Sequence, residues 1–138
     1  MRYQLHPVPA LKDNYIWVLS HLDNKQALVV DPGESEPVAR YLEAQRLQLA
    51  YIFLTHHHGD HSHGVMALKN QYQVPVYGGI ASQHPSITRG LADGEMLDLP
   101  ELALSFQAIA VPGHTRDHTT FYSASYAFTG DTLFSAGC

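Results

Sequence analysis

The chain has 138 residues, 45% hydrophobic and 15% charged, which fits one globular domain and is too little for two ordinary ones. A domain near this size buries roughly 70% of its unfolded surface and needs no disulfides, and the single cysteine, Cys138, rules out a disulfide framework and accords with a reducing cytoplasm. Eight basic against 13 acidic residues give a net charge of −5 with no basic stripe, which speaks against nucleic acid, and no apolar run approaches the ~18 residues of a membrane span or forms a signal-peptide core near Met1.

In chain order, Tyr3 to Val8, Tyr15 to Leu19 and Ala27 to Val30 are short runs rich in aromatic and β-branched residues, predicted as strands. Asp31-Pro32-Gly33 ends the third with turn chemistry. A helix is predicted from Ser35 to Leu47, with Ser35 as its cap, Pro37 in the first turn, and Val38, Tyr41 and Leu42 as an apolar stripe. Tyr51-Ile52-Phe53-Leu54 reads as a strand covered on both faces. A second helix is expected from Ser62 to Tyr72, then a strand from Val74 to Tyr77 closed by Gly78-Gly79. Ile80 to Pro100 reads as irregular. Leu104 to Val111, Thr119 to Ser123 and Tyr126 to Thr129 complete the strands, the last two as a hairpin. Strand–helix alternation followed by hairpins predicts an α/β layered sandwich with mixed sheets.

Histidine is the unusual component: 10 residues, more than the eight lysines and arginines together, five of them between His56 and His63. In extended chain, residues two apart point the same way, so His56 and His58 can hold one ion together. Asp60 and His61 come as the chain turns toward a helix and aim elsewhere, which favours two adjacent ions over one. His57 should point to the opposite side. A closed structural zinc site is usually built from thiolates and imidazoles; imidazole plus carboxylate suits a catalytic site open to water, holding zinc, iron or manganese. Pro112-Gly113-His114-Thr115 follows a strand, and His114 can complete a three-histidine set. Thr115 and His118 are candidates for orienting a ligand. Gly130-Asp131-Thr132 follows another strand, and the Asp131 carboxylate can bridge two ions at about 3.5–4 Å separation. All three polar clusters come directly after strands, which predicts one shared edge of the sandwich. The nucleophile elbow, the phosphate-binding loop and the dinucleotide fingerprint are missing, and Cys138 reads as a plain small residue.

Thr55-His56-x-His58-x-Asp60-His61, Pro112-Gly113-His114-Thr115 and Gly130-Asp131-Thr132-Leu133-Phe134 together resemble the metallo-β-lactamase superfamily. The opening Val8 to Leu19 and the ending Gly130 to Cys138 resemble, more narrowly, its glyoxalase II family. The resemblance implies an αββα sandwich and a binuclear centre of two divalent ions, Zn2+ with iron or manganese as alternatives. His56, His58 and His114 would bind the first ion, Asp60 and His61 the second, with Asp131 bridging; Asp60 and Asp131 are the catalytic carboxylates. The implied substrate is a small glutathione thioester. The implied reaction is hydrolysis of S-D-lactoylglutathione to D-lactate and glutathione in the cytoplasm, by hydroxide formed between the ions. The chain departs from the family at His63, where a Gly-Gly pair is usual; Gly64 remains. Glyoxalase II enzymes also continue further, with another histidine ligand, the glutathione-holding residues and a helical region. Residues 1–138 are therefore read as the N-terminal portion of the catalytic domain, an incomplete metal site with little or no turnover alone. A persulfide dioxygenase, a lactonase, a β-lactamase or a non-catalytic metal-binding module shares the histidine motif and is the alternative.

Overall fold

A computed structural model describes residues 2–10, 15–55, 62–80, 84–110, 119–124, 126–128 and 133–135. Its first sheet holds β1 (Tyr3–Pro9), β2 (Tyr15–His21), β3 (Gln26–Val30), β4 (Gln48–Phe53), β5 (Val76–Gly79) and β6 (Arg89–Leu91), in that spatial order. Strands β1 to β3 are antiparallel and β3 to β6 parallel. Helices α1 (Glu36–Gln45) and α2 (Ser62–Tyr72) make the β3–β4 and β4–β5 connections. The second sheet is antiparallel, in the order β11 (Leu133–Ser135), β10 (Tyr126–Phe128), β9 (Thr119–Tyr122), β8 (Leu104–Ala110) and β7 (Met96–Leu99).

Strand alternation sorts the apolar residues into two cores. Along β2, Ile16 and Val18 face the helices while Trp17 and Leu19 lie between the sheets. Along β4, Ile52 and then Leu54 face the helices, and Tyr51 and Phe53 face the second sheet. The strand is covered on both faces, as its unbroken apolar run requires. Phe53 is fully buried, stacked on Phe121 at 4.2 Å and edge-on to Phe106 at 5.1 Å. The β3–β4 register slips after Ala27, and Ala50 and Tyr51 both face the inter-sheet core, a bulge that adds one residue to β4 and resets its alternation.

Several elements differ from the sequence expectations. Within the stretch read as irregular lie β6 and β7. Strand β7, Met-Leu-Asp-Leu, does alternate outward and inward, but four residues between Gly94 and Pro100 are a weak periodic signal. Helix α1 ends at Gln45: Arg46 adopts a left-handed φ of 57°, and the Leu47 N–H closes back onto the Leu42 carbonyl at 2.8 Å. This is the six-to-one closure that glycine ordinarily marks, so the sequence carried no stop signal there. Ser35 sits at the N-cap in helical geometry without a side-chain cap bond, while Pro37 does occupy the first turn. Strand β11 lies beyond Thr129, where the last predicted strand ends. The mixed-sheet sandwich itself is as expected, and this N-terminal portion was expected to hold it incompletely. Among the described residues the layers run helix, sheet, sheet, and the outer face of the second sheet leaves Met96 and Tyr122 exposed at 56% and 43%.

Candidate metal centre

Strands β3 and β4 are parallel neighbours, with Val30 opposite Phe53, so the residues that follow them leave the sheet side by side. The Asp31 N–H donates to the Phe53 carbonyl at 2.9 Å. Asp31 itself takes a left-handed φ of 50°, a conformation that aspartate tolerates better than most residues. Its carboxylate faces Thr55: Oδ1 accepts the Thr55 N–H at 2.8 Å, and Oδ2 accepts the Thr55 hydroxyl. On the other flank, the Leu54 N–H donates to the Tyr77 carbonyl at 2.9 Å. From the second sheet, the Thr119 N–H donates to the Thr55 carbonyl at 2.7 Å. Thr55, fully buried, thus has its backbone donor, backbone acceptor and hydroxyl all engaged, and it directly precedes His56.

The other two segments are anchored at the same rim. Strand β8 ends at Ala110, opposite Thr119 at the start of β9. The residues that flank the His114 segment, Ala110 and Thr119, are therefore paired, and Thr119 bonds Thr55. Strand β10 ends at Phe128, opposite both Phe121 and Leu133. Asp131 is three residues from Phe128 and two from Leu133, so its anchors belong to that rim as well. The expectation that three strands end along one edge holds for these flanks. His56, His57, His58, Asp60, His61, His114, Thr115, His118, Asp131 and Cys138 themselves lie outside the described residues.

Histidines elsewhere serve local structure. His6 stacks on Tyr41 at 4.4 Å. His21 Nδ1 accepts the Asp23 N–H at 3.1 Å, and its ring meets Tyr3 edge-on. The buried His84 accepts the Ser86 N–H through Nδ1 at 3.1 Å, so that nitrogen carries no proton. Among the described residues no group of three or more His, Cys, Asp or Glu side chains could hold a metal ion. The candidate donors named from the sequence, four imidazoles and two carboxylates, have the chemistry that divalent first-row ions take. Two carboxylates brought together repel unless a cation lies between them, so the donor set fits metal.

Residues 11–138 match the family described as the metallo-beta-lactamase superfamily. The chain belongs to that superfamily. It is similar to a protein named hydroxyacylglutathione hydrolase from Nitrosomonas eutropha, 44% identical over 133 residues, which are 96% of this chain and 51% of that protein. A hydroxyacylglutathione hydrolase from Pseudoalteromonas translucida is 47% identical over 136 residues, 98% of this chain and 52% of its own length. The chain thus spans about half the length of these relatives. Among solved structures, ETHE1 from Myxococcus xanthus superposes with a TM-score of 0.77 at 27% identity, over 95% of this chain and 58% of that one. The BLEG-1 B3 metallo-beta-lactamase superposes with a TM-score of 0.75 at 22% identity, over 97% of this chain and 74% of that one, a likeness of fold.

Asp31 was legible in the sequence only as a turn former. An aspartate at the end of the strand parallel to the histidine strand was the available signal, and only the β3–β4 pairing converts it into a contact with Thr55. No helix among the described residues is long and apolar enough to cross a membrane.

Proposed function

We propose that this superfamily member is the metal-binding part of a thioester hydrolase. It would convert S-D-lactoylglutathione and water to D-lactate and glutathione, a cytoplasmic step in methylglyoxal removal. The likeness to hydroxyacylglutathione hydrolases at 44% and 47% identity supports the substrate class. The observation that supports the site is the Thr119 N–H to Thr55 carbonyl bond, which ties the residue before the histidine run to the residue that opens β9, five positions after His114.

In this reading His56, His58 and His114 would present neutral imidazole nitrogens to one ion. Asp60 and His61 would serve a second, and Asp131 would be shared by the two. When bound, two divalent ions supply Lewis acidity and bring the pKa of a coordinated water to about 7. Asp60 and Asp131 offset about half of the ions' charge, which leaves the pocket cationic where a thioester carbonyl gains negative charge on attack. No side chain of this chain needs to act as nucleophile. The sequence accords with that, because it holds neither a Gly-x-Ser-x-Gly elbow nor a cysteine other than Cys138.

The test is hydrolysis of S-D-lactoylglutathione by the full-length protein, with metal content measured in parallel. His114→Ala and Asp131→Ala should each remove most of the activity and lower the bound metal. Full activity with two ions in Asp131→Ala would overturn the bridge. Oxygen uptake with glutathione persulfide, without thioester hydrolysis, would replace the hydrolase by a dioxygenase.

A further inference from the structure

Gly64, in the first turn of α2, lies against the backbone of the turn that follows β3. A Cβ there would sit 2.6 Å from the Glu34 nitrogen and the Gly33 carbonyl carbon, and closer still to the Pro32 oxygen. Real Cβ atoms do not approach backbone so closely, so α2 can start in this place only with glycine at position 64. His63, where the related family usually has glycine, lies just before it.

The same turn acts on the other end of the histidine run. Asp31, its first residue, holds Thr55 through both carboxylate oxygens. Residues 31–34 therefore contact the chain at 55 and again at 64, positions separated by eight residues of sequence. We propose that this turn is a two-ended bracket that sets the spacing of the ligand run, with Gly64 as a positioning residue for its Asp60–His61 end. Thr55 positions the His56–His58 end. The inference rests on the metal-ligand reading above and adds a division of labour: each end of the bracket governs one ion.

That division separates a positioning role from a merely structural one, because general weakening of the fold would lower both affinities together. The experiment is a zinc titration of the full-length protein against a chromophoric chelator, for the wild type, Gly64→Ala and Thr55→Val, with His58→Ala and His61→Ala as references. Gly64→Ala should weaken one ion by about tenfold or more, the range seen when groups supporting a metal ligand are lost. It should be the ion that His61→Ala loses, with the other ion unchanged. Thr55→Val should show the reverse, matching His58→Ala. Equal weakening of both ions, or of neither, in a folded Gly64→Ala protein overturns the bracket. If Gly64→Ala does not fold, the near-isosteric Thr55→Val decides alone: loss confined to one ion supports the bracket, and any other pattern overturns it. A wild type that takes up no zinc would instead defeat the metal-ligand reading.

Discussion

The carboxylate of Asp31 accepts both the backbone N–H and the hydroxyl of Thr55, across the junction of two parallel strands. Removing it leaves two donors of a fully buried residue without this acceptor. Leaving a buried donor unsatisfied costs about 1–3 kcal/mol. Asp31→Ala should therefore destabilise the protein by about that much or somewhat more, whereas Asp31→Asn, which can still accept the N–H, should cost less. Urea denaturation at neutral pH measures both, and equal stability of Asp31→Ala and wild type would show that the contact contributes nothing.

Phe53 makes the densest aromatic contacts described between the sheets: Phe121 stacked, and Phe106, Phe128 and Tyr77 edge-on. Phe53→Ala should cost about 3–5 kcal/mol, from lost transfer energy and an unfilled cavity. Phe53→Leu, which fills most of that volume, should cost clearly less. Since Phe53 also ends the strand that leads to Thr55, metal affinity is expected to fall with stability in the alanine variant. Denaturant melts paired with zinc titration check both.

Glu95 makes one stretch of the fold acid-sensitive. Its carboxylate accepts the Ala92 N–H at 3.0 Å and pairs with Arg89, closing the turn between β6 of the first sheet and β7 of the second. The Ala92 bond first, and the Arg89 guanidinium next, hold its pKa below the usual glutamate value. A group whose folded pKa is depressed stabilises the protein above its unfolded pKa, about 4.3 for glutamate. That stability is lost as pH falls through the lower folded value. Glu95→Gln should thus weaken the fold at pH 7 and flatten the fall in stability at acid pH. Urea midpoints from pH 3 to pH 7 test this, and parallel curves for the two proteins would refute it.

Metal should stabilise the fold in proportion to its affinity. A ligand at one hundred times its Kd adds about 2.7 kcal/mol to the folded state. Chelation is therefore expected to lower the melting temperature of the full-length protein, and added zinc to restore it. A melting temperature that chelator leaves unchanged would count against carboxylates held together by cations.

Legibility in the sequence followed the strength of local pattern. Tyr51 to Leu54 announced a buried strand, because four consecutive apolar residues leave little else. Helix α2 was expected from near Ser62 to Tyr72, and it lies there. The end of α1 was not, because a left-handed arginine at position 46 does the work usually left to glycine. Strands β6 and β7 were invisible, since three- and four-residue strands take their identity from the neighbours that pair with them. The site divides the same way. Candidate ligands were named from the histidine spacing and from the positions just after strands, and they lie outside the described residues. The supports were not legible, because Asp31 and Gly64 matter through contacts with residues far off in the chain.

The Thr119 to Thr55 bond is the only backbone link described between the rims of the two sheets, and it joins two residues that flank candidate ligand segments. Splaying of the sandwich at that rim would stretch this link before it disturbed the aromatic layer beneath. Slow breathing of the two sheets should therefore register in the proposed hydrolysis well before it registers as denaturation, so that activity would be a finer gauge of this seam than any melting curve.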